Sequence, residues 1–259
     1  MSAAAPPRSP RYALIPALLI VAAYMAARFV IYAFMAEVRV RAAQTAPGIV
    51  AYAWFFQDLL VTIPRLLALG ACFWASRRLS ESGPRWRGFQ PEAGGLLLAA
   101  LAGELIAVGA FRYSASTPAL LMTAMTFATV VVALWEELCF RGLLYPALRE
   151  RSPVFGAVVS SLLFMAYHIQ ALPPRWIALT FFVGLLLCAA YERGAGLWTL
   201  AAVHFLIDEI GLFFMGPFDR PRLFTVGAAL LVLAALAAMR RLAQPAATSS
   251  LSPAALTSA

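Results

Sequence analysis

Lysine is absent from this 259-residue chain, and all twenty of its basic residues are arginine. Charge is scarce altogether at 12% of residues, histidine occurs twice and cysteine three times. Each shortage excludes something. So few charges beside 63% hydrophobic residues, with a mean hydropathy of +0.81, cannot clothe a water-soluble globule, which leaves an all-α polytopic integral membrane protein. Cys72, Cys139 and Cys188 are odd in number and form no CxxC pair, so they are expected to be buried small apolar side chains rather than a disulfide framework. No HExxH is present to suggest a zincin, and no repeat or polar linker marks a second domain. The net charge of +8 calls for no nucleic acid, because arginines in the loops of a membrane protein set topology and meet anionic lipid. An all-arginine basic set beside abundant alanine suggests a bacterial coding sequence, and hence the inner membrane.

What the chain does have is apolar runs long enough to cross a bilayer. After a short polar leader, eight spans are expected at about 12–35, 49–75, 93–111, 119–148, 154–172, 176–191, 197–215 and 223–239, with Ser152-Pro153 marking a helix start. Residues 1–242 then make one polytopic domain with a bundled core around an intramembrane cavity. Residues 243–259, rich in Ala, Ser, Pro and Thr, bury too little to order themselves. Eight spans put both termini on one side, whose loops carry eleven arginines against six opposite, so cytoplasmic termini are expected.

Inside these runs lie groups that lipid penalises by about 2.5 to 3.5 kcal/mol each at mid-bilayer, and that therefore tend to face a protein interior and mark function. In Glu136-Glu137-Leu138-Cys139-Phe140-Arg141-Gly142, Glu137 and Arg141 are four apart and can form an ion pair, while Glu136 lies about 100° round the helix, free of that pair. His168 lies on the fifth span, and His204 and Asp208, also four apart, share a face of the seventh. Together these supply a general base, a positioning partner and oxyanion donors for activating a water. Arg28, Asp58, Arg65 and Glu104 are embedded as well, so ionisability alone does not single out a site, and Asp58 with Arg65 reads as structural or interfacial. Counted from the expected helix ends, Glu136 and His168 differ in depth by about 12 Å, a mismatch that tilted or unequal helices would have to close.

Glu136-Glu137-x-x-x-Arg141, Phe164-x-x-x-His168 and His204-x-x-x-Asp208, the last preceded by Gly194-x-Gly196-Leu197-Trp198, together resemble the motifs of the CAAX-protease and bacteriocin-processing family of intramembrane glutamic endopeptidases. The likeness covers roughly residues 119–216. It implies a metal-independent, cofactor-free protease in which Glu136, assisted by His168, activates a water that attacks a peptide carbonyl near the C-terminus of a membrane-associated protein or peptide. His204 and Asp208 would hold the oxyanion, and Glu137 and Arg141 would support the site. Asp208 departs from the asparagine of the prenyl-protein proteases. An ionised aspartate only accepts hydrogen bonds, so Asp208 either carries a proton or orients His204 by accepting its ring N–H. Two rivals use the same residues: a zinc hydrolase with Glu136, His168 and His204 as ligands, and a non-catalytic immunity or scaffold protein. Substrate identity and oligomeric state are not encoded in any motif.

Overall fold

The computed structural model describes residues 14–45, 50–79, 84–109, 119–169, 174–213, 218 and 220–244. The leader, the tail from 245 and the loops at 110–118 and 170–173 lie outside the described residues, as does the side chain of Asp58. Among the described residues the chain forms eight helical rods: α1 (Leu14–Thr45), α2 (Val50–Leu79), α3 (Pro91–Val108), α4 (Ala119–Glu136) running through Glu137–Leu144 into α5 (Tyr145–Arg149), α6 (Pro153–His168), α7 (Pro174–Glu192), α8 (Leu197–Phe213) and α9 (Pro221–Ala243). This is the expected all-α polytopic architecture, and the chain is an integral membrane protein. Ser152 caps α6 as its sequence position predicts, its Oγ accepting from the Phe155 N–H at 3.0 Å. All three cysteines are free and buried.

Five rods, namely α1, most of α2, α3, α7 and α9, are long and apolar enough to cross a membrane unaided. Of the rods that carry the motifs, α6 and α8 are shorter, with 16 and 17 residues, and the fourth changes its winding midway. Around Glu137–Leu144 the backbone bonds i to i+5, so the Tyr145 N–H reaches the Phe140 carbonyl. Such π-helical turns leave backbone groups in altered positions and recur at functional sites. The same Phe140 carbonyl also accepts from Ser160 Oγ of α6 at 3.2 Å, which ties the segment to that helix. All eight residues of this segment are buried. It packs against α1, α2, α4, α5, α6, α7 and α8, which makes it the axis of the bundle.

The connection between α7 and α8 is held by an extended strap, residues 84–90, lying beneath it. The N–H groups of Gly196, Leu197 and Trp198 donate to the carbonyls of Gly88, Arg85 and Trp86 at 2.8, 2.8 and 3.2 Å. These bonds satisfy three of the donors that the start of any helix leaves without an intrahelical partner. Gly194 turns with φ +104°, and a Cβ on Gly196 would lie 2.7 Å from the Trp86 carbonyl oxygen. The two glycines of Gly194-x-Gly196 are thereby explained: the first by backbone conformation, the second by close approach. Because the strap fills the end of the bundle, α8 starts inside the protein, with Ala195 and Leu197 fully buried.

Candidate functional site

The site forms where the π-helical segment meets the end of α6, at His168, and the middle of α8, at His204. Glu137 Oε1 accepts from Arg141 Nη1 at 2.9 Å, the expected i,i+4 ion pair, and also from His204 Nδ1 at 2.7 Å. Arg141 is fully buried. Its other Nη donates to the Gly184 carbonyl of α7 at 3.3 Å, and its guanidinium lies 4.5 Å from the Phe164 ring centre. A buried charge is tolerated when paired and hydrogen-bonded in this way.

Glu136 is free of that pair, as the sequence suggests. Its Oε2 is buried, accepts no hydrogen bond among the described residues, and faces His204 Nε2 at 3.6 Å and His168 Nε2 at 3.8 Å. The two adjacent glutamates thus grip one imidazole from its two nitrogens. His168 Nδ1 lies 2.8 Å from the Phe164 carbonyl, which can only accept, so Nδ1 carries the proton and a neutral ring offers its Nε2 lone pair toward Glu136. Phe164 does more than space the second motif. Its carbonyl fixes the His168 tautomer, and its ring packs edge-on against His168 and His204 with centroids at 4.6 and 5.7 Å.

His204 has a carboxylate facing each of its ring nitrogens. The acceptor that turns the ring is Glu137, through Nδ1, while Asp208 Oδ2 faces Nε2 at 3.6 Å from the other side. Asp208 is also the open wall of the site, with a side chain 35% exposed against 1% for Glu136.

The depth mismatch between Glu136 and His168 does not arise. The rods carrying them are joined at residues 150–152, so depth is counted from that turn. Glu136 lies fourteen residues before residue 150 and His168 sixteen after residue 152, distances of about 21 and 24 Å at 1.5 Å per residue. His168 is the last residue of α6, and no further helical turn displaces it.

Several neighbours went unread in the sequence. Glu104 of α3 is buried and comes close enough to Asp208 and His204 to interact electrostatically with both. Arg65, taken from sequence for a structural or interfacial group, is buried and donates through Nε to Tyr24 Oη at 3.2 Å. Tyr167 Oη lies 3.3 Å from Tyr24 Oη, and Tyr167 stands beside Glu136. Trp135 packs on both phenols, with ring centroids at 4.8 and 5.7 Å. Aromatic residues in an apolar chain carry no local signal that separates such partners from lipid-facing ones. Among the described residues no group of three or more His, Cys, Asp or Glu is arranged to hold a metal ion.

Residues 118–210 match the family model described as type II CAAX prenyl endopeptidase Rce1-like. This stretch is similar to an Rce1-like domain. It contains Glu136, Glu137, Arg141, His168, His204 and Asp208, and its bounds enclose α4 to most of α8. An uncharacterized 24.3 kDa protein of Escherichia coli is 33% identical over 102 residues, which is 38% of this chain and 46% of that protein. The likeness to that relative therefore covers less than half of either chain. The Rce1-like domain does not reach α1, α2 or α3, so Tyr24, Arg65 and Glu104 are contributed by parts of the chain outside it.

Proposed function

We propose that the chain is an intramembrane peptidase of the glutamic type, cleaving a peptide bond near the C-terminus of a membrane-associated protein or peptide. The observation that carries this reading is the buried Glu136 Oε2, which accepts no hydrogen bond among the described residues and faces two imidazole Nε2 atoms at 3.6 and 3.8 Å. Those separations exceed a direct hydrogen bond and fit groups that act through a shared water. Glu136 takes a proton from that water while His168 Nε2 holds it. The hydroxide attacks the carbonyl carbon of the scissile bond, and Glu136 then delivers the proton to the departing amine nitrogen.

His204 serves the oxyanion only as an imidazolium, because its Nδ1–H is committed to Glu137 and Nε2 needs a hydrogen of its own to donate. Glu137, shared with Arg141, is the counter-charge that favours that form. Asp208, on the open side, contributes a second donor when protonated. If Asp208→Asn abolished proteolysis in a protein that stayed folded, this protonated-donor role would be untenable, since an amide donates as well as a carboxylic acid.

The deciding measurement compares C-terminal peptides of membrane and surface proteins between cells making the wild-type chain and cells making Glu136→Gln. Peptides present with the wild type and missing with the variant are expected. Identical peptide sets, with any cellular phenotype intact in the variant, would turn the reading toward a scaffold or immunity protein. Cleavage that survives a strong chelator separates the glutamic mechanism from a zinc hydrolase using the same side chains. The arginine bias supports cytoplasmic termini in a bacterial inner membrane, an orientation that would set the side from which protein substrates reach the lipid-embedded cavity.

A further inference from the structure

The Rce1-like stretch supplies Glu136, Glu137, Arg141, His168, His204 and Asp208, and Tyr167 beside Glu136, but not what stands behind Tyr167. That backing comes from α1 and α2. Arg65 Nε donates to Tyr24 Oη at 3.2 Å, which leaves the Tyr24 hydroxyl hydrogen free to donate onward. The Tyr167 hydroxyl hydrogen can turn to Tyr24 Oη at 3.3 Å or to the Glu136 carboxylate beside it, and when it serves Glu136 the Tyr167 oxygen accepts from Tyr24. The three side chains are buried, and the two phenol rings are wedged against Trp135, the residue preceding Glu136. Arg28 fixes the far side of Tyr167, donating to its backbone carbonyl at 3.3 Å with its guanidinium 5.1 Å from the ring centre. The next residue is His168, whose ring meets Tyr167 edge-on at 4.8 Å. A hydroxyl in so apolar a place, tied at one end to an arginine and adjoining the reacting carboxylate, is placed to set that carboxylate's orientation.

We propose that Tyr167 is a positioning residue for Glu136, held in its donating orientation by the chain Arg65 to Tyr24 to Tyr167, so that two helices outside the Rce1-like domain complete the site. This rests on the peptidase reading and adds to it a dependence on α1 and α2. Donation to one carboxylate oxygen holds the group's plane and leaves Oε2 aimed at the two imidazoles. Loss of that donor leaves binding of the peptide untouched and lowers the fraction of encounters in which Glu136 reaches the water.

The test is a double-mutant cycle on the purified full chain, using as substrate the peptide bond whose cleavage depends on Glu136. Tyr167→Phe and Tyr24→Phe keep ring packing and remove one hydroxyl each. Tyr167→Phe should lower kcat about tenfold with KM unchanged, and Tyr24→Phe about threefold, as expected for a hydrogen bond to a charged group and for its support. The double variant should be no worse than Tyr167→Phe alone, because Tyr24 acts only through Tyr167. Multiplying effects, changes confined to KM, or wild-type kcat in Tyr167→Phe would each overturn the proposal. Should Tyr167→Phe fail to accumulate, Tyr24→Phe with a wild-type unfolding midpoint carries the test, and undiminished kcat there overturns it. Absence of any Glu136-dependent cleavage by the wild type is a different failure, that of the peptidase reading itself.

Discussion

The outer rods α1 and α9 and the π-helical segment at the axis are built on opposite terms, although all three are largely apolar in sequence. In the most hydrophobic stretches of α1 and α9 only 17% and 22% of residues are buried inside the protein, whereas every residue of Glu137–Leu144 is. The outer helices meet lipid with side chains such as Ile15, Phe34 and Leu233, all more than 60% exposed. Their hydrophobicity is a solvent match, and any apolar residue of similar size serves. At the axis, by contrast, polar groups are tied to other helices: Arg141 to Gly184, Glu137 to His204, and the Phe140 carbonyl to Ser160. Tolerance to substitution should therefore fall steeply from rim to axis, and four substitutions sharpen or break that contrast.

The largest effect belongs to Glu136→Gln, which exchanges one oxygen for an amide nitrogen and should lower proteolysis by a factor on the order of 10³ while leaving the thermal unfolding midpoint near wild type. If the midpoint fell with the activity, Glu136 would be a structural group like its neighbour. Next comes Arg141→Ala. Its removal strands the buried Glu137 and one face of His204, and should cost about 3 to 5 kcal/mol in detergent unfolding, with activity lost through the fold. Intermediate between rim and axis is the contact of α9 with α3, where a Cβ on Gly227 would lie 2.5 Å from both the Ala107 amide nitrogen and the Gly103 carbonyl oxygen. Gly227→Val should push the two helices apart at about 1 to 3 kcal/mol, read as a lowered unfolding midpoint. Smallest is Leu233→Ala, two turns further along α9 and 65% exposed to lipid. Its unfolding free energy should stay within about 0.5 kcal/mol of wild type. A Leu233→Ala cost comparable to that of Arg141→Ala would erase the distinction between rim and axis.

The same contrast explains what could be read before any coordinates. Span positions were legible because bilayer crossing is a local property of composition, and α7 and α9, for instance, fall within two to four residues of the spans anticipated for them. The ion pair of Glu137 and Arg141 was legible for an equally local reason, the i,i+4 spacing. The depth of His168 was misjudged because it was counted from an assumed helix end instead of from the turn that joins its helix to the glutamates. The contact of Glu137 with His204 was not legible, because the π-helical winding brings both adjacent glutamates to one imidazole, and no spacing rule announces such a turn. The link of Arg65 to Tyr24 had no local signal either, since the two lie forty-one residues apart on different helices.

By itself, then, the amino-acid sequence determined that this chain lives in a membrane, where it crosses, and which few ionisable groups are too costly there to be idle. Those are statements about each segment and its solvent, and lipid imposes them one helix at a time. Only the tertiary structure decided which of those groups meet. The recess of α8 above its strap, the widened turn after Glu136 and the phenols reaching in from α1 and α6 are contacts between segments that do not adjoin in the chain, fixed by close packing and by the need of every buried polar atom for a partner.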